Sequence, residues 1–212
     1  MTLELGVLVS GSGSNLQAIL DAIDAGRLDA RCRVVLSNRP GVLALERART
    51  AGVPSITIDH KQFPTRQAFE ERVLSELRAH GVEWLALAGF MRVLSPLLLD
   101  EYRGRVVNIH PSLLPAFPGV DAQGQAHAHG VKLAGCTVHF VDSGVDSGPI
   151  IAQAAVPVLP ADSAEELRLR ILEQEHVLFP QALQWIAEGR VRLIEGGDRR
   201  ARVLIDPRDP DA

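Results

Sequence analysis

Short apolar runs alternate with longer amphipathic stretches from residue 3 to residue 109, and this alternation constrains the fold more than any other sequence feature. The apolar runs have the length of buried strands, whereas the longer stretches space their apolar residues along one helix face. The predicted strands are Leu3–Ser10, Arg33–Ser37, Ser55–Asp59, Glu83–Ala88 and Arg105–Ile109, and the predicted helices are Asn15–Ala25, Val42–Ala51, Thr65–Ala79 and a short helix beginning at Pro96. Repeated strand–helix units predict an α/β fold, an open, mostly parallel twisted sheet with helices on both faces.

The pattern changes after residue 110. Pro111–Gly119 contains three prolines, so we expect a stiff loop there and not a helix. The remaining predicted elements are a short helix at Gln123–His129, a strand pair at Cys136–Val141 and Pro149–Val156, a long helix at Ser163–Glu188 broken or bent near Pro180, and a terminal hairpin at Val191–Glu195 and Ala201–Ile205, followed by a frayed tail. The sequence has no internal repeat, low-complexity block or obvious linker, and we therefore expect one domain over residues 1–212.

Composition excludes several classes of protein. The 212 residues carry a formal net charge of −4 without a basic stripe, which argues against nucleic-acid binding. Cys32 and Cys136 form no CxxC pair, so we expect reduced thiols and a cytoplasmic protein. The longest apolar stretch, Trp84–Met91, is too short to cross a bilayer. No HExxH motif, Cys/His cluster or GxSxG elbow is present, so we expect no metal site and no covalent protein intermediate.

The segment Ser10–Asn15, SGSGSN, lies between a predicted strand and a predicted helix. Its glycines allow a ligand to approach the backbone, and the first N–H groups of a helix favour an anion. The segment has no P-loop lysine and no GxGxxG fingerprint, so it suits one phosphate monoester better than a triphosphate with magnesium. The alternative is a glycine-rich turn that binds nothing.

Asn108 and His110 lie two residues apart at the end of the fifth predicted strand, where such residues face the same side. An Asn amide can donate a hydrogen bond to a developing oxyanion, and an imidazole can move a proton near neutral pH. The two side chains therefore suit acyl transfer. The alternative is a strand-end histidine that binds only backbone.

The acidic turn Val141–Pro149, VDSGVDSGP, joins two apolar runs. Asp and Gly are ordinary turn formers, so one interpretation gives this turn no functional role. In the other, one of its carboxylates meets His110, favours the imidazolium and fixes the orientation of the ring. His139, within a predicted strand, is expected to pack or to pair with a backbone group.

Five segments, taken in order and spacing, resemble the folate-dependent phosphoribosylglycinamide formyltransferase family from Leu5 to about Ile194. The segments are SGSGSN at Ser10–Asn15, SNRP at Ser37–Pro40, LAGFMRVLSP at Leu87–Pro96, NIHPSLLPAFPG at Asn108–Gly119 and GCTVHFVDSGVDSGPII at Gly135–Ile151. The resemblance implies a formyltransferase-like mononucleotide-binding fold. It implies that 10-formyltetrahydrofolate, as co-substrate, gives its formyl group to the amine of N1-(5-phospho-D-ribosyl)glycinamide in purine biosynthesis, leaving tetrahydrofolate.

The resemblance also implies roles for individual residues. The implied catalytic residues are Asn108, His110 and Asp146. The implied ribonucleotide-binding residues are Gly13, Ser14 and Asn15 for the phosphate and Glu175 for the ribose, and the implied folate-binding residues are Arg66, Met91, Arg92, Val93, Leu94, Asn108, Asp142, Ser143, Gly144 and Val145. The single domain then divides into a phosphate-binding half at 1–110, a folate and catalytic half at 111–195, and a terminal hairpin strand and tail at 196–212.

Two other functions compete with this one. A formyltetrahydrofolate hydrolase shares the catalytic core but usually has an N-terminal regulatory domain, for which we expect no room because the phosphate loop begins by residue 10. A non-catalytic phosphate-binding α/β module would have no reason to combine Asn108, His110 and an acidic turn. We expect small-molecule substrates, no nucleic-acid or membrane partner, and a monomer or homodimer.

Overall fold

The computed structural model describes residues 1–194 and 201–207. The chain divides into two compact units, Met1–Asn108 and Ile109–Ala212. The predicted single domain, with its finer division at residues 110 and 195, stays a prediction.

The first unit is built from parallel strands in the order β3-β2-β1-β4-β5. The strands are β1 (Leu3–Val9), β2 (Ala30–Ser37), β3 (Ser55–Thr57), β4 (Trp84–Leu87) and the beginning of β5 (Val106–His110), and the helices are α1 (Ser14–Asp24), α2 (Leu43–Thr50), α3 (Arg66–Ala79) and α4 (Pro96–Glu101). Leu3, Leu5 and Val7 of β1 are fully buried, as expected of a central parallel strand covered on both faces. The predicted α/β fold with a mostly parallel sheet is confirmed.

Close packing in this unit depends on one glycine of β1. A Cβ built on Gly6 would lie 2.8 Å from Leu77 Cδ2 and 2.9 Å from Val82 Cγ1. The missing side chain therefore lets the C-terminal end of α3 approach the strand directly.

The second unit consists of an antiparallel strand pair packed against a long helix. Its elements are α5 (Ala122–His129), β6 (Leu133–Phe140), β7 (Ile150–Pro157), α6 (Ala164–Ala187), β8 (Val191–Ile194) and β9 (Arg202–Ile205). The strands of each pair, β6 with β7 and β8 with β9, run antiparallel. Residues 195–200, the predicted turn of the terminal hairpin, and 208–212 of the predicted tail lie outside the described residues.

Of the two outcomes predicted near Pro180, a break or a bend, the break does not occur, because helix α6 continues through Pro180. A proline removes one helical hydrogen bond, but Leu167, Ile171 and Phe179 are fully buried on this helix. Burying such side chains is worth about 1.5–3 kcal/mol each, enough together to offset the lost bond. Ser163 and Glu166 also form a capping box at the N-terminus of α6. Among the described residues, no helix is both long and apolar enough to span a membrane.

Candidate active site

In the second unit, both ring nitrogens of His110 face oxygen acceptors. Nε2 lies 2.9 Å from the Phe117 carbonyl oxygen, and Nδ1 lies 3.3 Å from Asp146 Oδ2. A carbonyl oxygen only accepts hydrogen bonds, so Nε2 must carry a proton. The other ring nitrogen, Nδ1, faces the Asp146 carboxylate. His110 is thus held between a loop carbonyl and a turn carboxylate, in a site where it is only 4% exposed.

Asp146 has a left-handed backbone conformation, with φ of 50°. Asp tolerates this conformation better than most residues. The Asp146 carboxylate has further neighbours besides His110. Oδ2 accepts a 2.8 Å hydrogen bond from the Gly119 amide, and Oδ1 lies 3.7 Å from His139 Nε2. The structure thus brings the acidic turn and His110 together, one of the two arrangements considered from the sequence.

His139 is a member of this cluster that sequence reasoning missed. Its Nδ1 lies 2.8 Å from the Phe140 carbonyl oxygen, so the expected pairing with backbone is present. Burial lowers the pKa of His139 below its ordinary value, against a smaller opposing effect of Asp146. The separation of only seven residues between His139 and Asp146 is the sequence signal that could have indicated the contact.

Hydrogen bonds from β6 and β7 hold the loop Pro111–Gly119. The buried Thr137 hydroxyl accepts from the Leu114 amide at 3.0 Å and donates to the Ser112 carbonyl at 2.6 Å. Gln153 donates from Nε2 to the Leu114 carbonyl at 2.9 Å. The proline content predicted a stiff loop. In the structure, the side-chain hydrogen bonds of Thr137 and Gln153 further fix the loop backbone, which carries Phe117.

The turn residues Asp142–Val145, assigned to folate by resemblance, are all exposed. Asp142 Oδ1 accepts hydrogen bonds from the Gly144 amide at 3.0 Å and from Ser147 Oγ at 2.7 Å. This carboxylate oxygen therefore shapes the turn that it belongs to. Ser143 and Val145 extend from the turn into solvent.

Glu175 lies on α6 and is buried. Its charge adds to the effect of burial in raising the pKa of the Cys136 thiol to about 12. A thiol with such a pKa is protonated at neutral pH and is a poor nucleophile. This agrees with the expectation that the chemistry needs no cysteine.

In the first unit, the segment Ser10–Asn15 forms a compact loop before α1. Gly13 is the N-cap of α1 with φ of 72°, and a Cβ there would lie 2.6 Å from Ala44 Cβ. Arg47 donates from Nε to the Ser12 carbonyl at 2.9 Å. Helix α2 therefore packs against the loop. Ser14 and Asn15 begin the first turn of α1.

The segment Met91–Leu94, assigned to folate by resemblance, divides into exposed and buried side chains. Met91 is 61% exposed and Val93 is 49% exposed, whereas Leu94 is 4% exposed and belongs to the core. Arg92 lies over the Phe69 ring at 5.1 Å, a cation–π distance. The exposed pair can contact a flat apolar ligand, and Leu94 anchors the segment.

Asn108 ends the first unit, where it is aligned with Leu87 of β4 in a parallel register. His110 is the last residue of β5. Both residues therefore lie at the carboxyl end of a strand, where open α/β sheets bind ligands.

Comparison with known proteins identifies the family. The family described as Formyl transferase matches residues 4–183. The phosphoribosylglycinamide formyltransferase of Escherichia coli is 42% identical over 189 residues, 89% of each chain. The chain belongs to the phosphoribosylglycinamide formyltransferase family. The predicted family is thereby confirmed.

Two further relatives of this formyltransferase chain differ greatly in length. The crystal structure of glycinamide ribonucleotide transformylase 1 from Symbiobacterium toebii superposes with a TM-score of 0.93 at 52% identity, covering 97% of this chain and 95% of that one. The trifunctional purine biosynthetic protein adenosine-3 of Drosophila pseudoobscura pseudoobscura is 52% identical over 192 residues, 90% of this chain. The chain spans only 14% of that trifunctional protein.

The His110 cluster presents a hydrogen-bond donor at Nε2, which faces the Phe117 carbonyl oxygen. Within residues 1–194 and 201–207, no group of three or more His, Cys, Asp or Glu side chains could hold a metal ion. The chemistry open to these side chains is hydrogen-bond donation to a developing oxyanion and proton transfer.

Proposed function

We propose that the chain transfers the formyl group of 10-formyltetrahydrofolate to the amine of N1-(5-phospho-D-ribosyl)glycinamide, giving the N2-formyl ribonucleotide and tetrahydrofolate, in de novo purine (IMP) biosynthesis. The observation that carries this proposal is the pair of acceptors around His110, Phe117 carbonyl oxygen on one side and Asp146 on the other. They hold the ring with Nε2 as a hydrogen-bond donor, the role that the proposed contact with the oxyanion needs. The names of the relatives support the choice of substrates.

In the proposed reaction the glycinamide nitrogen attacks the formyl carbon and forms a tetrahedral intermediate. Asn108 and His110 donate hydrogen bonds to its oxyanion. For His110, donation requires that the oxyanion replace the Phe117 carbonyl as the acceptor at Nε2. The bond between the formyl carbon and N10 of folate then breaks, and one proton passes from the attacking nitrogen to N10. Asp146, which faces Nδ1, holds the orientation of the ring during this transfer.

The binding roles carried over from the family complete the proposal. Gly13, Ser14 and Asn15 bind the phosphate through the loop before α1, and Glu175 binds the ribose. The folate co-substrate contacts Arg66, Met91, Arg92, Val93, Leu94, Asn108 and the turn Asp142–Val145. We also propose a cytoplasmic monomer or homodimer that acts on small molecules, without a metal and without nucleic-acid or membrane partners.

A two-substrate assay tests the function directly. The protein is incubated with 10-formyltetrahydrofolate, with and without the ribonucleotide, and tetrahydrofolate is measured. Release that depends on the ribonucleotide is the expected result. Release without the ribonucleotide would indicate a hydrolase, and no release under either condition would indicate a binding module.

Substitutions at the site test the mechanism. Asn108→Ala and His110→Ala should each lower kcat on the order of 10²–10³-fold, the cost of losing one oxyanion-hole donor. His80→Ala is a matched control, because His80 binds the Glu76 carbonyl on its own helix. Rates near those of the unmodified protein in Asn108→Ala and His110→Ala would contradict the assignment.

A further inference from the structure

Glu70 is a buried carboxylate that the proposed mechanism does not use. It lies on α3 and is 2% exposed. Acidic side chains are almost never fully buried unless they are paired. The partners of Glu70 therefore indicate what holds the charge there.

Three donors from two segments surround this carboxylate. The Ser95 amide lies 3.0 Å from Oε1 and 3.2 Å from Oε2, and the Ser95 hydroxyl also donates to Oε2. Arg66, one turn earlier on α3, donates from Nε to Oε1 at 3.1 Å. Hydrogen bonds to an ionised carboxylate are about twice as strong as neutral ones.

Arg66 extends this set of contacts toward the apolar segment. Its Nη2 donates to the Val93 carbonyl at 2.5 Å. Glu70 thus holds the segment Met91–Ser95 at two points, directly at Ser95 and through Arg66 at Val93. Both points lie on the backbone that carries the exposed side chains of Met91 and Val93.

Ser95 provides a second, independent indication. It is the N-cap of α4, a position where a serine oxygen usually accepts from a helix amide. Here its side chain makes no cap hydrogen bond and donates to Glu70 instead. The contact with Glu70 of α3 therefore replaces the N-cap hydrogen bond that a serine usually makes at this position.

We propose that Glu70 is a positioning residue for the folate-binding segment: it fixes the backbone of Met91–Ser95 from the protein side and so sets the affinity for the formyl donor. Arg66, which the family resemblance assigns to folate contact, then also acts as the link between Glu70 and Val93. The proposal rests on the folate role proposed above for Met91–Leu94.

The test compares Glu70→Gln and Ser95→Ala with the control Glu71→Gln. Glu71 is the exposed neighbour of Glu70 on α3 and accepts a hydrogen bond from Gln67 of the same helix. Two experiments are made on each variant. NMR measures hydrogen exchange of the Ser95 amide, and steady-state kinetics measures the KM and kcat for each substrate.

In Glu70→Gln we expect faster exchange at Ser95 and a rise of about tenfold in the KM for 10-formyltetrahydrofolate, the size of one net hydrogen bond. The KM for the ribonucleotide and kcat should stay within about twofold, less than a typical single hydrogen bond is worth. Ser95→Ala, which keeps the amide donor, should raise the folate KM less. Glu71→Gln should change neither quantity.

Unchanged exchange at Ser95 in Glu70→Gln would overturn the proposal, whatever the KM values. Faster exchange would also overturn the proposal if the folate KM were unchanged or if the KM rose equally for both substrates, because Glu70 would then act on general stability alone. Failure of the proposed function is distinguishable, since the unmodified protein would release no tetrahydrofolate in response to the ribonucleotide.

Discussion

Gly13→Ala should damage the loop before α1 in two separable ways. The residue has φ of 72°, a conformation that L side chains rarely adopt. In addition, the new Cβ would lie 2.6 Å from Ala44 Cβ and 2.7 Å from Ala44 Cα. Ala44 is fully buried on α2 and its Cα is backbone, so this neighbour cannot move aside by changing a rotamer.

The two effects can be estimated separately. A left-handed conformation costs a non-glycine residue about 1–2 kcal/mol. Forcing an extra carbon into a packed site costs about 1–3 kcal/mol. Gly13→Ala should therefore lower the free energy of unfolding by about 2–5 kcal/mol, a fall in Tm of roughly 4–20 °C for a chain of this size.

Gly26→Ala is the matched control, because Gly26 has φ of 65° and nothing within 4 Å of a built Cβ. It should lose only the backbone contribution of about 1–2 kcal/mol. Thermal denaturation measures both variants, and the KM for the ribonucleotide should rise only in Gly13→Ala, where the proposed phosphate loop is displaced. Equal Tm values for the two variants would refute the argument from close packing, and an unchanged KM in Gly13→Ala would count against the phosphate role.

Three further predictions concern titratable groups. The pKa of His139 should lie below the ordinary 6.5 because of burial, and Asp146→Asn should lower it further by removing a charge that opposes the shift. NMR titration of the ring measures both effects. A rise in the pKa of His139 in Asp146→Asn would contradict the opposing effect assigned to Asp146. Burial raises the pKa of Cys136 to about 12, so iodoacetamide should leave this thiol unmodified at pH 8 in the native protein but alkylate it in urea, as read by mass spectrometry. The Arg170 side chain lowers the pKa of Asp162 to about 2, so this pair stabilises the fold above the unfolded carboxyl pKa of about 3.9 and loses that effect as the pH falls toward 2. Acid denaturation followed by circular dichroism should therefore be less steep in this window for Arg170→Gln. A curve identical to that of the unmodified protein would exclude a contribution of the Asp162–Arg170 pair to acid stability.

The sequence by itself determined the order and type of the elements. The run predicted as Leu3–Ser10 is a strand at Leu3–Val9, and the stretch predicted as Thr65–Ala79 is a helix at Arg66–Ala79. Such elements are readable because apolar periodicity is a property of neighbouring residues, and the period together with the length of each apolar run separates strands from helices. The order of the motifs likewise sufficed to indicate the family.

The tertiary structure decided which side chains meet. The short separation of His139 and Asp146 along the chain allows a contact, but only the packing of the turn brings the two side chains within 3.7 Å. The capping preference of Ser95 predicts a partner other than Glu70. Pro180 is the converse case, in which the local preference predicted a break or a bend and packing keeps α6 unbroken. Contacts between distant residues depend on how whole elements pack, and burial then strengthens the charged pairs that packing creates. Local pattern therefore specifies the strands and helices, whereas the contacts of His110 exist only because a loop carbonyl and a turn carboxylate are packed around one ring.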